Sequence, residues 1–163
     1  GDVYKRQTID IDLLWPKVKL LPNVKIHVIL VLYYLDMVKK MNQTPYDIIG
    51  PDALYDMIDH FYRLVEQDDR LNHLFPGDFQ ETSRKQKQFL TQFLGGPKLY
   101  TEEHGHPMLR KRHLAFRITN AERDAWLENM YIAIQAAQLP AGVGDYLYER
   151  LCLVANHMVN TEI

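Results

Sequence analysis

The sequence predicts an all-α fold, and three observations carry that expectation. From Met41 onward the apolar residues recur at three- and four-residue spacings, the period of one helix face. The periodic stretches stop at glycine and proline, at Gly95-Gly96-Pro97 and again at Pro140, Gly142 and Gly144. No segment after Met41 reads as a strand, and there is no internal repeat. A chain of 163 residues, 47% hydrophobic and 25% charged, is one domain or one domain with an extension, and it can bury a core.

The first forty residues have a different texture. They are rich in β-branched residues and lysine and show no sustained helical period. GDVYKRQ resembles a translated sequencing-adapter scar, and Met41, opening MNQTPYDIIG, is a natural start. The expectation is a non-native or accessory extension over 1–40 and a domain over 41–163, with a genuine helical or stranded cap as the alternative. The longest apolar run, IHVILVLYYL at 26–35, is about half the length that a membrane span needs. Asp36 and MVKKMNQTP follow it without a small-x-small cleavage site, so it does not read as a secretion signal.

The first helix of the main domain is expected over about 51–67. Pro51 suits a first helical position, and Leu54, Ile58, Phe61 and Val65 form its apolar stripe, with Tyr62 beside it. DDRLNHLFPGD at 68–78 is turn-rich. A second helix follows over about 80–94. Beyond the histidine-rich stretch, Thr119 and Glu122 make a capping box, and the helix they open runs to about Leu139. Val143, Leu147, Leu151, Val154 and Met158 mark the last helix.

Charge and cysteine content narrow the function. The net charge of −2 argues against a nucleic-acid or anionic-membrane surface. The single cysteine, Cys152, excludes an internal disulfide framework and fits a reducing cytosol, so a cytoplasmic location is expected. On a helix it reads as a small core hydrophobe rather than a catalytic thiol.

The chemistry concentrates in polar residues on apolar faces. Thr82, Gln86, Phe89 and Phe93 share one face of the 80–94 helix, while Arg84, Lys85, Lys87 and Gln88 take the solvated sides. A half-polar stripe is either a satisfied buried network or the wall of a ligand pocket. Trp126, in line with Met130 and Ala133, carries an indole N–H that needs an acceptor when buried. Tyr62 brings another polar tip inward.

HGHPMLRKRHLAF, residues 104–116, poses the metal question. His104, His106 and His113 could form a three-histidine zinc site, but Gly105 and Pro107 make the H-x-H pair a loop rather than a strand. His104 and His106 therefore read as loop residues that bond backbone or line a pocket rim. His113 shares a helical stripe with Leu109 and Phe116, with Met108 nearby. A histidine on an apolar face is ordinarily a satisfied core residue. Yet Arg110, Lys111, Arg112 and Arg117 surround this one, a setting suited to the carboxylates of a bulky apolar cofactor, and axial ligation of haem iron asks for such a histidine.

Several segments together resemble a known family: FY at 61–62, LFP at 74–76, ETSRKQKQFLTQFLGGPKLYTEEHGHPMLRKRHLAF at 81–116, AW at 125–126 and NHMVN at 156–160. They are similar to the group II truncated haemoglobins of bacteria, over roughly 45–160. The resemblance implies a two-on-two helical sandwich with haem b between the helices and His113 as the proximal iron ligand. It places Tyr62, Gln86 and Trp126, with Thr82, around the distal ligand, Phe75 as the ring-stacking aromatic, and Lys85 and Tyr100 as further haem contacts. Phe89, Met108 and Arg112 join these as expected cofactor contacts. The family's early glycine pair is represented only by Gly50, and some members carry tyrosine where this chain has Phe75.

The expected function is reversible binding of O₂, NO or CO at a histidine-ligated iron. Distal donors to a partly charged ligand contribute about 1.5–3 kcal/mol each, and each ~1.4 slows release tenfold. Tight retention suits redox or NO chemistry, such as NO dioxygenase or peroxidase-like turnover, or sensing, better than bulk oxygen transport. The partners implied are the diatomic ligand and an unidentified reductase, with the protein a monomer or homodimer. Two rivals stand beside this. A zinc hydrolase would use His104, His106 and His113 with Glu102 or Glu103 as base. A helical binding module would leave Gln86 and Trp126 as satisfied core polars.

Overall fold

The computed structural model describes residues 26–75 and 77–162, and the segment GDVYKRQ lies outside them. The chain divides between Gln43 and Thr44. In the first unit, α1 spans Ile26–Met41, closes on Lys39 and Lys40, and carries an Asp36–Lys40 ion pair at 2.8 Å. No helical period is legible here because most of the segment is apolar on every side, so no stripe shows against a polar background. None of the described helices is long and apolar enough to cross a membrane.

The second unit contains seven α-helices among its described residues: α2 (Pro45–Ile49), α3 (Pro51–Gln67), α4 (Phe79–Phe93), α5 (Leu99–His104), α6 (Leu109–His113), α7 (Asn120–Ala136) and α8 (Val143–Met158). A 3-10 turn, Asn72–Leu74, joins α3 to α4. No strand occurs among the described residues. The expected all-α fold is the observed one.

The strong sequence signals lie where they were expected. Pro51 opens α3, and Leu54, Ile58, Phe61 and Val65 are fully buried. Thr119 and Glu122 form the capping box of α7. After α4 the chain passes through Gly95 at φ +94°, where a Cβ would sit 2.8 Å from Thr44, and Gly96, where one would meet the Tyr46 ring at 2.7 Å. The double glycine therefore serves a close approach to α2 as well as a helix stop.

α3 and α4 pack together as one pair, α7 and α8 as the other, and α3 against α7 joins the pairs. Phe61, Leu90, Met130, Leu147 and Leu151 supply the shared core. This is the two-on-two sandwich. α5 and α6 hang on its edge, α5 against α4 and α6 against α8.

Candidate functional site

The predicted polar stripe of α4 occupies an intermediate position. Thr82, Gln86 and Phe93 are half-buried, whereas the face turned fully inward is Ser83, Phe89, Leu90 and Leu94. Gln86 has no hydrogen-bond partner among the described residues, and neither do the Tyr62 hydroxyl nor the Trp126 indole. No sealed polar atom goes unpartnered among the described residues. The Tyr62 side chain is only 6% exposed. Burial pushes its phenol well above the usual tyrosine range.

Aromatic edges bring the expected distal residues together. Phe61 meets Tyr62 at 5.0 Å and Trp126 at 5.1 Å between ring centroids, and Tyr62 meets Phe75 at 6.0 Å, all edge-on. Thr82 donates its hydroxyl to the Asp78 carbonyl at 3.0 Å. It can accept a hydrogen bond from a ligand but has no proton left to donate.

A second cluster lies at the far end of α4. Phe89 packs edge-on against Tyr100 at 6.1 Å, Tyr100 lies 4.8 Å from the His104 ring, and the Arg112 guanidinium sits 5.8 Å over Tyr100. Lys85 is exposed and pairs loosely with Glu81 at 3.5 Å. Arg84, Gln88 and Gln92, four residues apart along α4, lash α5 in place. Arg84 reaches Glu103 at 2.7 Å, Gln88 donates to Glu103 at 2.7 Å, and Gln92 bonds both the hydroxyl and the backbone N–H of Thr101. The face expected to be solvated is thus a docking face at Arg84 and Gln88, while Lys87 reaches Asp59 on α3 at 2.7 Å.

The three histidines do not converge. His104 closes α5, not a loop, and donates from Nε2 to the Gln88 side-chain oxygen at 3.0 Å. His106 Nδ1 accepts from the Met108 N–H at 3.2 Å. His113 Nδ1 lies 2.7 Å from the Leu109 carbonyl, so it carries the proton and donates it. No group of three metal-ligating side chains occurs among the described residues. The zinc-hydrolase rival lacks its site.

The α6 segment also departs from the expected apolar stripe. The helix ends at His113, Phe116 lies beyond it and is exposed, and Met108 is half-exposed in the left-handed region at φ 45°. A cavity of about 1020 Å³ opens alongside. Phe89, Phe93, Leu109 and Met158 are among its apolar walls, and Lys98, Arg110, Lys111 and Arg150 its cations, with no carboxylate in the lining. Of the expected cofactor contacts, Phe89 and Met108 line it, whereas His113, Tyr62, Gln86 and Trp126 do not. Sequence reasoning missed Asn160, whose amide bonds the His113 and Phe116 carbonyls.

Residues 44–160 match the model of the bacterial-like globin family. The chain belongs to that family, among its group II truncated haemoglobins. It is 54% identical over 116 residues to the group 2 truncated hemoglobin YjbI of Bacillus subtilis, covering 71% of this chain and 88% of that one. The solved group II truncated hemoglobin of Bacillus anthracis is 50% identical at a TM-score of 0.71, covering 73% of this chain and 92% of that one. The truncated oxygen-avid haemoglobin of Bacillus subtilis is 53% identical at 0.70, covering 72% and 100%. Bacterial-like globins of this group bind haem b and small diatomic ligands such as O₂. The residues present fit that group: an imidazole that donates from Nδ1 and keeps Nε2 as a ligand atom, on a helix whose Leu109 borders an apolar cavity rimmed by Lys98, Lys111 and Arg150.

Proposed function

We propose that His113 Nε2 would hold the haem iron and that Tyr62, Gln86 and Trp126 would donate hydrogen bonds to a bound diatomic ligand such as O₂. Phe75, Thr82, Lys85, Phe89, Tyr100, Met108 and Arg112 would contact the macrocycle and its carboxylates. Haem iron, when bound, supplies an open coordination position at which O₂, NO or CO binds reversibly. The observation that carries the reading is the His113 Nδ1–Leu109 carbonyl bond, because it fixes the tautomer and leaves Nε2 with its lone pair.

On the distal side, the raised Tyr62 phenol stays a donor at any ordinary pH. Thr82 has spent its proton on Asp78, so donation falls to Tyr62, Gln86 and Trp126. Each donor to a partly charged ligand contributes about 1.5–3 kcal/mol, roughly tenfold to a hundredfold slower release. Tight binding of this kind supports redox or NO chemistry, or sensing, over bulk transport, and an electron-donating reductase outside this chain belongs to the reading. That a relative 53% identical is described as oxygen-avid supports the same direction.

The visible spectrum of the full chain tests this. A Soret band that sharpens and shifts on adding dithionite and CO is expected, and it should persist in His104→Ala and His106→Ala. Loss of the band in either of those variants, with retention in His113→Ala, would overturn the ligand assignment.

A further inference from the structure

We infer that Asn160 is a positioning residue for His113, an inference that rests on the reading of His113 as the iron ligand. α6 has five residues, and no side chain caps its N-terminus. A helix so short leaves nearly all of its backbone groups without intrahelical partners. Something else must hold it.

The restraint comes from residues just beyond α8, over forty positions along the chain. The Asn160 amide Nδ2 donates to the His113 carbonyl at 3.0 Å and to the Phe116 carbonyl at 2.9 Å. Its Oδ1 accepts from the Ile118 N–H at 3.1 Å and from the Thr161 hydroxyl at 3.0 Å. All four hydrogen-bonding slots of the amide are filled, and the two donors to Oδ1 fix which end faces the carbonyls. The Asn160 and Thr161 N–H groups add bonds to the Ile118 carbonyl at 3.0 and 3.1 Å. From the other side, Arg110 donates to the carbonyls of His157 and Val159.

A continuous chain of bonds results. The imidazole is tied to Leu109, hence to α6; the carbonyl end of α6 is tied to Asn160; and Asn160 follows α8, whose Leu147 and Leu151 sit in the core. Asn160 therefore sets where the imidazole stands relative to the rigid sandwich. Neither aspartate nor alanine can replace it: aspartate keeps the acceptor and loses both donors, and alanine loses all four bonds.

The test uses the full-length, haem-loaded protein in three variants: Asn160→Asp, Asn160→Ala and Thr161→Ala. Two readouts are taken: the iron–histidine stretching band of the ferrous, ligand-free form by resonance Raman, and amide hydrogen exchange across residues 109–117. Both Asn160 variants are expected to shift or broaden the band, to speed exchange in that segment, and to lose haem on the order of tenfold faster. Thr161→Ala, which loosens only the amide's orientation, should move the same readouts less. A normal band and normal exchange in Asn160→Asp would overturn the inference, because the Ile118 tether alone would then suffice. Normal values in both Asn160 variants would overturn it too. If instead wild type and His113→Ala give the same spectrum, the ligand assignment fails on its own, independently of Asn160.

Discussion

Tyr62 and Trp126 lie on long helices, against a Phe61 ring that is fully buried. His113 lies on a five-residue helix whose last carbonyl is bonded by Asn160 and whose Arg110 donates to the Val159 carbonyl beyond α8. On the reading proposed above both regions serve one site, and ring packing marks the first whereas hydrogen bonds tie the second to the sandwich. The difference bears on how each can change. A packed wall loses stability when a ring is truncated, whereas a bonded segment loses position when a single polar atom is removed, with the fold intact.

The largest effect that separates the two regions is expected from Phe61→Ala. Truncating this fully buried ring should cost about 3–5 kcal/mol in denaturant unfolding. Leu109→Ala, on the half-buried proximal segment, should cost clearly less. Equal losses would mean that the proximal segment is packed after all.

Next in size is Trp126→Phe, which keeps most of the ring and removes the N–H. O₂ release should accelerate roughly tenfold to a hundredfold, for about 1.5–3 kcal/mol, while CO release, from a poorer acceptor, changes much less. Gln86→Leu should act in the same direction, and the double variant should be non-additive if the donors share one ligand. Stopped-flow dissociation of both gases decides it. Equal acceleration of O₂ and CO would point to a widened pocket, and no acceleration of either would make Trp126 a packing residue.

What the sequence disclosed divides along the same line. The α3 stripe, the double-glycine stop and the Thr119–Glu122 capping box were legible because periodicity and capping are local. α5 was not, since six residues are too few to show a helical period, and it is secured by Arg84, Gln88 and Gln92 from α4. Asn160 could be read only as part of a motif, because its partners His113, Phe116 and Ile118 lie more than forty positions away in sequence. The residues of the packed wall announced themselves by pattern. The bonds of the proximal segment are visible only in three dimensions.

The smallest expected effect is acid sensitivity confined to the bonded region. Arg84 holds the Glu81 and Glu103 carboxyls down to about 2 from an ordinary 4.5. Their folded values lie below the unfolded ones, so this tie is fully present above about pH 4.5 and is lost as pH falls toward 2. Both groups are exposed, so added salt should weaken the effect. Hydrogen exchange should rise in α5 before the α3–α7 core as pH is lowered through that window, and Arg84→Ala should abolish the difference. Simultaneous opening of both regions would contradict the division.

The central claim, that the hydrogen-bonded α6 presents the iron ligand, is tested most directly by titrating haem into His113→Gly with and without free imidazole. The account predicts no stoichiometric Soret band without imidazole and its recovery when imidazole fills the space left by the side chain. A wild-type spectrum in His113→Gly without imidazole would contradict it.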